Sequence, residues 1–167
     1  MAVFPIRTYP DPVLRTPAAP VGRIDDDIRR LVDDMLETMY QAPGVGLAAP
    51  QIGVALRVVV FDIGGGPKHL INPVLLETSG SWAFDEGCLS VPGRYWAVKR
   101  PGFARARGLN LEGEEIEYAG EGLLGRVLQH EIDHIGGTLI LERLPRRARK
   151  QALKEIREEE MRLGEGR

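Results

Sequence analysis

The chain has 167 residues, of which 43% are hydrophobic and 28% are charged, a composition typical of a globular protein long enough to bury one core. A net charge of −2 argues against a general nucleic-acid or membrane surface, so we expect no direct DNA binding and no membrane association. The amino-terminal residues lack an apolar leader, and the single cysteine, Cys88, excludes an internal disulfide and suits a reducing compartment. We therefore predict one domain over residues 1–167 and a cytoplasmic location.

The first predicted helix, the N-terminal helix of the fold, begins near Asp25–Asp27. Acidic side chains there suit both the N-cap and the positive end of the helix dipole. Apolar residues then recur at intervals of three and four. These residues are Ile28, Leu31, Val32, Met35, Leu36 and Met39. We interpret this stripe as core packing and not as a cofactor site.

A stretch rich in glycine and small residues, Pro43–Gly53, ends this helix. It is only superficially similar to a phosphate-binding loop, since it lacks G-K-[ST] and the last glycine of G-x-G-x-x-G. Gly44 and Gly46 allow another group to approach the backbone closely, and Gln51 adds an amide side chain. A tight turn that leads into a strand is the simplest interpretation, and it is compatible with a role in binding.

Several later segments have the composition or the alternation of β-strands. The predicted strands and hairpin are Leu56–Phe61, His69–Asn72, Tyr95–Arg100, Phe103–Leu111 and Leu109–Tyr118, the last turning at Gly113. We interpret the lone His69 as structural. The strands and their short turns predict an α+β fold, in which antiparallel sheets pack around a central helix that contains His130 and His134, two candidate metal-binding residues.

Cys88 lies in the stretch Asp85–Gly93, between acidic residues and a proline turn. A free cysteine is usually a small buried hydrophobic residue. The alternative is a thiolate ligand for a metal ion, because a hydrolytic metal site needs three protein ligands and an open position for water. We favour the ligand, since the helix predicted over residues 123–135 offers two histidines, His130 and His134, as further ligands.

The central helix is predicted over residues 123–135 from its apolar spacing of three and four, and it should end at Gly136. It contains the pattern H-E-x-x-H. Because residues four apart share one face of a helix, His130 and His134 can present both imidazoles to one metal ion. Glu131 can then reach a water molecule on that metal. An ordinary amphipathic helix with structural histidines is the alternative.

Three stretches of this chain together resemble the peptide deformylase family. That family carries the motifs G-x-G-L-A-A-x-Q, E-G-C-L-S and Q-H-E-x-D-H in this order. They stand here complete at Gly44–Gln51, Glu86–Ser90 and Gln129–His134. The segment Tyr9–Arg15 is also similar to the start of the family sequence, and the resemblance runs from about residue 6 to residue 144.

The resemblance implies an enzyme that removes the N-formyl group from the N-terminal methionine of newly synthesised polypeptides and releases formate. It also implies one divalent metal ion held by Cys88, His130 and His134. Fe2+ is the expected ion, and Zn2+, Ni2+ or Co2+ are alternatives, because cysteine and histidine suit all of them.

The same resemblance assigns roles around the metal. Hydroxide, available because the cation lowers the pKa of its water, would attack the formyl carbon. Glu131 would act as general base and then as general acid toward the leaving amine. The implied donors to the oxyanion are the side-chain amide of Gln51 and the backbone N–H of Leu89.

Substrate contacts also follow from the resemblance. The peptide backbone would lie along Val45 and Gly46, and the methionine side chain would enter an apolar pocket that includes Leu123 and Val127. Packing within the core is the alternative role of the last two residues. Arg126 lies between them in sequence but is expected on a different face of the helix.

The last predicted element is a charged helix over about residues 145–162, and a solvated surface helix is its simplest interpretation. Bacterial members of the family are thought to dock on the ribosome through a C-terminal helix. The basic run Arg146–Lys154 suits such a contact, whereas the acidic Glu158–Glu160 weakens the match.

Two other functions are compatible with parts of the sequence. A zincin-type metallopeptidase shares H-E-x-x-H and takes its third ligand downstream of the second histidine, where Glu155 and Glu158 lie. That assignment leaves Gly44–Gln51 and Glu86–Ser90 unexplained. The other function is a non-catalytic binding protein that kept the fold, and the complete set of ligands, base and oxyanion donor argues against it.

Overall fold

The computed structural model describes residues 2–166, so the first and last residues of the predicted 1–167 domain lie outside the described residues. The described chain forms three α-helices: α1 (Asp26–Gln41), α2 (Gly122–Ile135) and α3 (Arg146–Glu165). Its strands are β1 (Gly46–Ala48), β2 (Val58–Phe61), β3 (Lys68–Ser79), β4 (Trp82–Cys88), β5 (Val91–Arg100), β6 (Phe103–Leu109) and β7 (Glu115–Glu121). Short 3-10 helices cover Pro12–Arg15, Ala49–Ile52 and Ile140–Arg143.

The strands form two antiparallel sheets, which confirms the predicted α+β class. The larger sheet has the order β1-β2-β3-β6-β7, and the smaller one is the β4–β5 hairpin. Within the part of the chain that the structure describes, β1 pairs with β2 alone, so it is an edge strand of the larger sheet. The hairpin has a register shift after Gly87, so that Cys88 lies at its irregular end, opposite Val91.

The larger sheet lies between α1 and α2, as the packing of β2 demonstrates. Val58 and Val60 pack in one cluster with the apolar stripe of α1, whereas Val59 and Phe61 pack in another with α2. Successive side chains of a strand point to opposite faces. Because both faces of β2 are buried, its sequence is a continuous apolar run and does not alternate.

Capping groups predicted from the sequence lie at the start of α1 and at the end of α2. The side chain of Asp25 accepts hydrogen bonds from the backbone N–H groups of Asp27 and Ile28, which confirms the start of α1. Gly136 caps the end of α2, and Gly137 follows with φ +82°. The stop predicted for the central helix is therefore confirmed.

Helix α3 runs three residues beyond its predicted end and stops at Gly166. It packs against the β4–β5 hairpin through Ala152 and Ile156, in a cluster with Val91 and Val98. Within residues 2–166, none of the helices combines the length and the apolar character needed to cross a bilayer.

Candidate metal centre

Three side chains whose nitrogen or sulfur atoms can bind a metal ion converge where the β4–β5 hairpin meets α2. The Sγ atom of Cys88 lies 3.3 Å from Nε2 of His134, and Nε2 of His134 lies 3.1 Å from Nε2 of His130. All three atoms lie within 4.8 Å of one another. Among residues 2–166, this is the one group of three such side chains that could hold a metal ion.

The spacing and chemistry of these atoms fit a divalent metal ion. Nitrogen and sulfur ligands of a tetrahedral zinc ion lie roughly 3.3–3.6 Å apart, as follows from its usual bond lengths. The two shortest separations here, 3.1 and 3.3 Å, are close to that spacing. One thiolate with two imidazoles suits zinc, iron or a related ion.

The imidazole of His130 is oriented by Glu86. Its Nδ1 atom lies 2.5 Å from Oε1 of Glu86, which leaves Nε2 to face the other two ligand atoms. Burial alone would raise the pKa of Glu86, but hydrogen bonds from His130 and Arg100 lower it to about 2. Burial, together with the neighbouring His130, lowers the pKa of His134 and favours the neutral form that binds metals.

Glu131 is buried beside the three ligand atoms. Its Oε1 atom lies 3.9 Å from Nε2 of His130, and within the described chain its Oε2 atom has no hydrogen-bond partner. Burial raises the pKa of Glu131 to about 7. An unpaired buried carboxyl group that titrates near neutral pH is typical of a general base or acid.

Gln51 and Leu89 both lie next to Cys88. The Oε1 atom of Gln51 accepts a hydrogen bond from the N–H of Ala48 at 2.9 Å. Its Nε2 atom donates to Oγ of Ser90 at 3.1 Å and lies 3.9 Å from Sγ of Cys88. These contacts fix the orientation of the Gln51 amide, so that its NH2 group lies on the side of Cys88. Leu89 follows Cys88 in the turn between β4 and β5.

The two glycines predicted to allow close approach are packed against the site. A methyl group on Gly44 would lie 2.8 Å from Cδ1 of Leu89, and one on Gly46 would lie 2.8 Å from Cγ2 of Val127. Real Cβ atoms essentially never come so close to another heavy atom. The backbone of this stretch therefore reaches the site only because these positions lack side chains.

A cleft of about 990 Å³ opens beside the candidate ligands, and Cys88, His130 and Glu131 form part of its lining. All four residues predicted to contact substrate line it as well, namely Val45, Gly46, Leu123 and Val127. Several large apolar side chains that stay exposed surround the cleft. They are Val3, Phe4, Val45, Phe84, Tyr95 and Leu123. A concave surface lined by exposed apolar side chains is typical of a binding site.

Arg126 was expected on a different face of α2 from Leu123 and Val127. Its side chain is buried and lines the same cleft as these two residues. Arg126 lies three positions after Leu123, and residues three apart on a helix are neighbours.

A buried ionic network around Glu86 was not predicted from the sequence. Arg100 donates to Glu86 through Nε at 3.0 Å and Nη2 at 2.8 Å, and to Asp133 through Nη1 at 2.7 Å. Asp133 also accepts from Arg143 at 2.7 Å. Glu86 and Asp133 lie inside two of the three sequence motifs, and this was the only sequence signal for the network. Nothing in the spacing indicates their arginine partners.

The residues considered as zincin-type ligands do not join the two histidines. The structure brings Cys88 to them instead, and Glu155 accepts a hydrogen bond from Nη1 of Arg94 at 3.1 Å. Glu158 is exposed on α3. The metallopeptidase alternative therefore lacks its third ligand among the described residues.

Comparison with known proteins gives one consistent result. The polypeptide deformylase family model matches residues 3–150. A peptide deformylase of Acidothermus cellulolyticus is 52% identical over 160 residues, which cover 96% of this chain and 89% of that relative. The crystal structure of a peptide deformylase from Legionella pneumophila has a TM-score of 0.90 and 41% identity, covering 98% of each chain. That of the Thermus thermophilus enzyme has a TM-score of 0.90 and 45% identity, covering 96% of each chain.

Proposed function

Because this chain belongs to the peptide deformylase family, we propose that it removes the N-formyl group from the N-terminal methionine of newly synthesised polypeptides and releases formate. One observation carries this proposal. Cys88, His130 and His134 converge beside the buried Glu131, in the lining of an apolar cleft. This arrangement suits metal-assisted hydrolysis of an amide whose apolar side chain is held nearby.

We infer that Cys88, His130 and His134 hold one divalent metal ion, with Fe2+ the expected ion and Zn2+, Ni2+ or Co2+ as alternatives. When bound, such an ion supplies Lewis acidity at the formyl carbonyl and a water of lowered pKa. The contact between Glu86 and Nδ1 of His130 supports this assignment, because ligating histidines almost always make such a contact.

Proton transfer is assigned to Glu131. Its carboxylate takes the proton from the attacking water and returns it to the nitrogen of the leaving amine. Burial beside the ligands and the absence of a partner for Oε2 within residues 2–166 support this role. A pKa of about 7 lets the same group act as base and as acid near neutral pH.

Two hydrogen-bond donors are assigned to stabilise the oxyanion of the tetrahedral intermediate. They are Nε2 of Gln51 and the backbone N–H of Leu89. The hydrogen bond from Ala48 to the Gln51 oxygen supports this role, since it holds the amide nitrogen on the side of Cys88. A donor held in place before the reaction stabilises the transition state without reorganisation.

The peptide substrate is proposed to run along Val45 and Gly46, with its first side chain between Leu123 and Val127. Two observations support this placement. The edge strand β1 begins at Gly46 and pairs on one side only, so an extended peptide can add to its other side. Leu123 and Val127 offer apolar surface in the same cleft.

The function is tested by formate release from a short formyl-methionyl peptide. The protein is prepared without oxygen and loaded with Fe2+ or Ni2+, because an iron-bound thiolate is readily oxidised. We expect formate release that depends on the metal and leaves the peptide bonds intact. Metal-free protein is the control. Cleavage of internal peptide bonds without formate would instead favour a metallopeptidase.

Two further expectations stay predictions: docking on the ribosome through α3 and a cytoplasmic location. The exposed basic residues of α3 support the first. They are Arg146, Arg147, Arg149, Lys150 and Lys154. Sedimentation with ribosomes at increasing salt tests it, because contacts between exposed charges weaken as salt rises.

A further inference from the structure

The guanidinium group of Arg126 is buried and satisfies three acceptors from two strands of the hairpin. Its Nη1 atom donates to Oε2 of Glu86 at 3.1 Å and to the carbonyl of Val98 at 3.0 Å. Its Nη2 atom donates to the carbonyl of Trp82 at 2.7 Å. Only 3% of the residue is exposed. Arg126 therefore ties α2 to both β4 and β5.

Arg126 also packs against two aromatic rings of β4, Trp82 and Phe84, which we call the aromatic wall; of the two, Phe84 lines the cleft. Its guanidinium carbon lies 5.0 Å from the ring centre of Trp82 and 5.7 Å from that of Phe84. The two rings contact each other, with their centres 4.8 Å apart. Phe84 and Arg126 both line the cleft, and the cation–π contacts of the guanidinium hold the two rings against α2.

The same guanidinium reaches the candidate metal centre through one residue. Glu86 accepts from Arg126 with Oε2 and contacts Nδ1 of His130 with Oε1. Arg100 holds Glu86 from another direction. Oε2 of Glu86 accepts from both Arg126 and Nε of Arg100, so the loss of Arg126 would remove one of its two donors and loosen the support of His130.

We propose that Arg126 is a positioning residue that joins the support of His130 and the aromatic wall of the cleft into one rigid unit. It thereby sets both the affinity for the metal ion and the selectivity for the first side chain of the substrate. The second effect rests on the proposed function, whereas the first requires only that the three ligands hold a metal ion.

Replacing Arg126 by methionine tests the proposal, because methionine fills similar space but donates no hydrogen bond. We expect the dissociation constant for Co2+, measured by titration of the metal-free protein, to rise about 10- to 100-fold. We also expect the preference for formyl-methionyl over formyl-alanyl peptides, as the ratio of kcat/KM values, to fall roughly tenfold. Arg105→Met is the matched control, since Arg105 pairs with Glu77 on the surface and its side chain is 41% exposed.

The variant Arg126→Lys separates the two effects. Lysine keeps a cation facing Glu86 but lacks the planar fork that reaches Val98 and Trp82 together. We expect it to recover Co2+ affinity relative to the methionine variant while selectivity stays reduced. The proposal is overturned if Arg126→Met folds and binds Co2+ as tightly as the wild type.

If Arg126→Met does not fold, Arg126→Lys tests the proposal instead. The proposal is overturned if Arg126→Lys has both the Co2+ affinity and the substrate selectivity of the wild type. Circular dichroism and the melting temperature report folding in each variant. Failure of the proposed function is seen separately, as a metal-loaded wild type that releases no formate. The Co2+ titration would still test the effect of Arg126 on the metal site.

Discussion

The backbone of Gly46 lies against the carboxylate of Glu131, so that a methyl group at position 46 would come 2.7 Å from Oε1. We predict that Gly46→Ala displaces this carboxylate and lowers kcat about a hundredfold, because small misplacements of a reacting group are that costly. Metal content, measured by atomic absorption, should stay unchanged. Gly65→Ala is the control, since nothing lies within 4 Å of a methyl group there. Normal turnover in the Gly46 variant would show that Glu131 tolerates the displacement.

Glu131→Gln keeps the size of the side chain but removes its capacity to accept a proton. Because Glu131 is assigned the proton transfers, we predict that formate release falls roughly 10²- to 10⁴-fold. Metal binding should persist, since Glu131 is not one of the three converging ligands. The exposed Glu158, changed in the same way, should leave the rate unaffected. A Glu131→Gln enzyme with wild-type kcat would refute the general-base assignment.

Cys88→Ser tests the ligand set. Serine replaces a soft thiolate by a hydroxyl that binds zinc or iron weakly, so we predict a large loss of bound metal after dialysis. Both histidines remain in this variant, and a zincin-type site with a downstream ligand would keep its metal. Retention of one full equivalent, measured by mass spectrometry of the metal, would argue that Cys88 is only a packing residue.

Gln51→Ala removes the proposed oxyanion donor. We predict a fall in kcat on the order of a hundredfold or more, because one such donor is worth roughly 3–4 kcal/mol in the transition state. KM and metal content should change little, because the donor acts mainly in the transition state. Gln151→Ala is the control, since the exposed side chain of Gln151 donates to Glu155 on the surface of α3. A rise in KM with unchanged kcat would instead assign Gln51 to substrate binding.

Arg100→Met tests the buried ionic network in the metal-free protein. Glu86 and Asp133 would each lose a buried partner, so we predict that the free energy of unfolding falls by about 3–5 kcal/mol. Urea denaturation measures this change. Arg107 pairs with Glu115 at the surface, where its side chain is 43% exposed, and Arg107→Met should cost less than about 1 kcal/mol. An equal loss of unfolding free energy in Arg100→Met and Arg107→Met would contradict the prediction that the buried ion pairs contribute more to stability than the exposed pair.

Features that depend on local spacing were predictable from the sequence. His130 and His134 share a face wherever the helix packs, because four residues make about one helical turn. The acidic start of α1 and the glycine stop of α2 are likewise set by neighbouring residues. The order of the three motifs, which agrees with the family, needed no coordinates.

Contacts between distant residues were decided only by the tertiary structure. Cys88 meets His134 across 46 positions because the β4–β5 hairpin packs against α2, and Arg126 meets Glu86 across 40 positions for the same reason. Resemblance to the family suggested the first contact, whereas nothing indicated the second. The backbone period determines which residues of one element share a face. Which faces meet depends on how the whole chain buries its apolar surface, and short-range spacing does not contain that information.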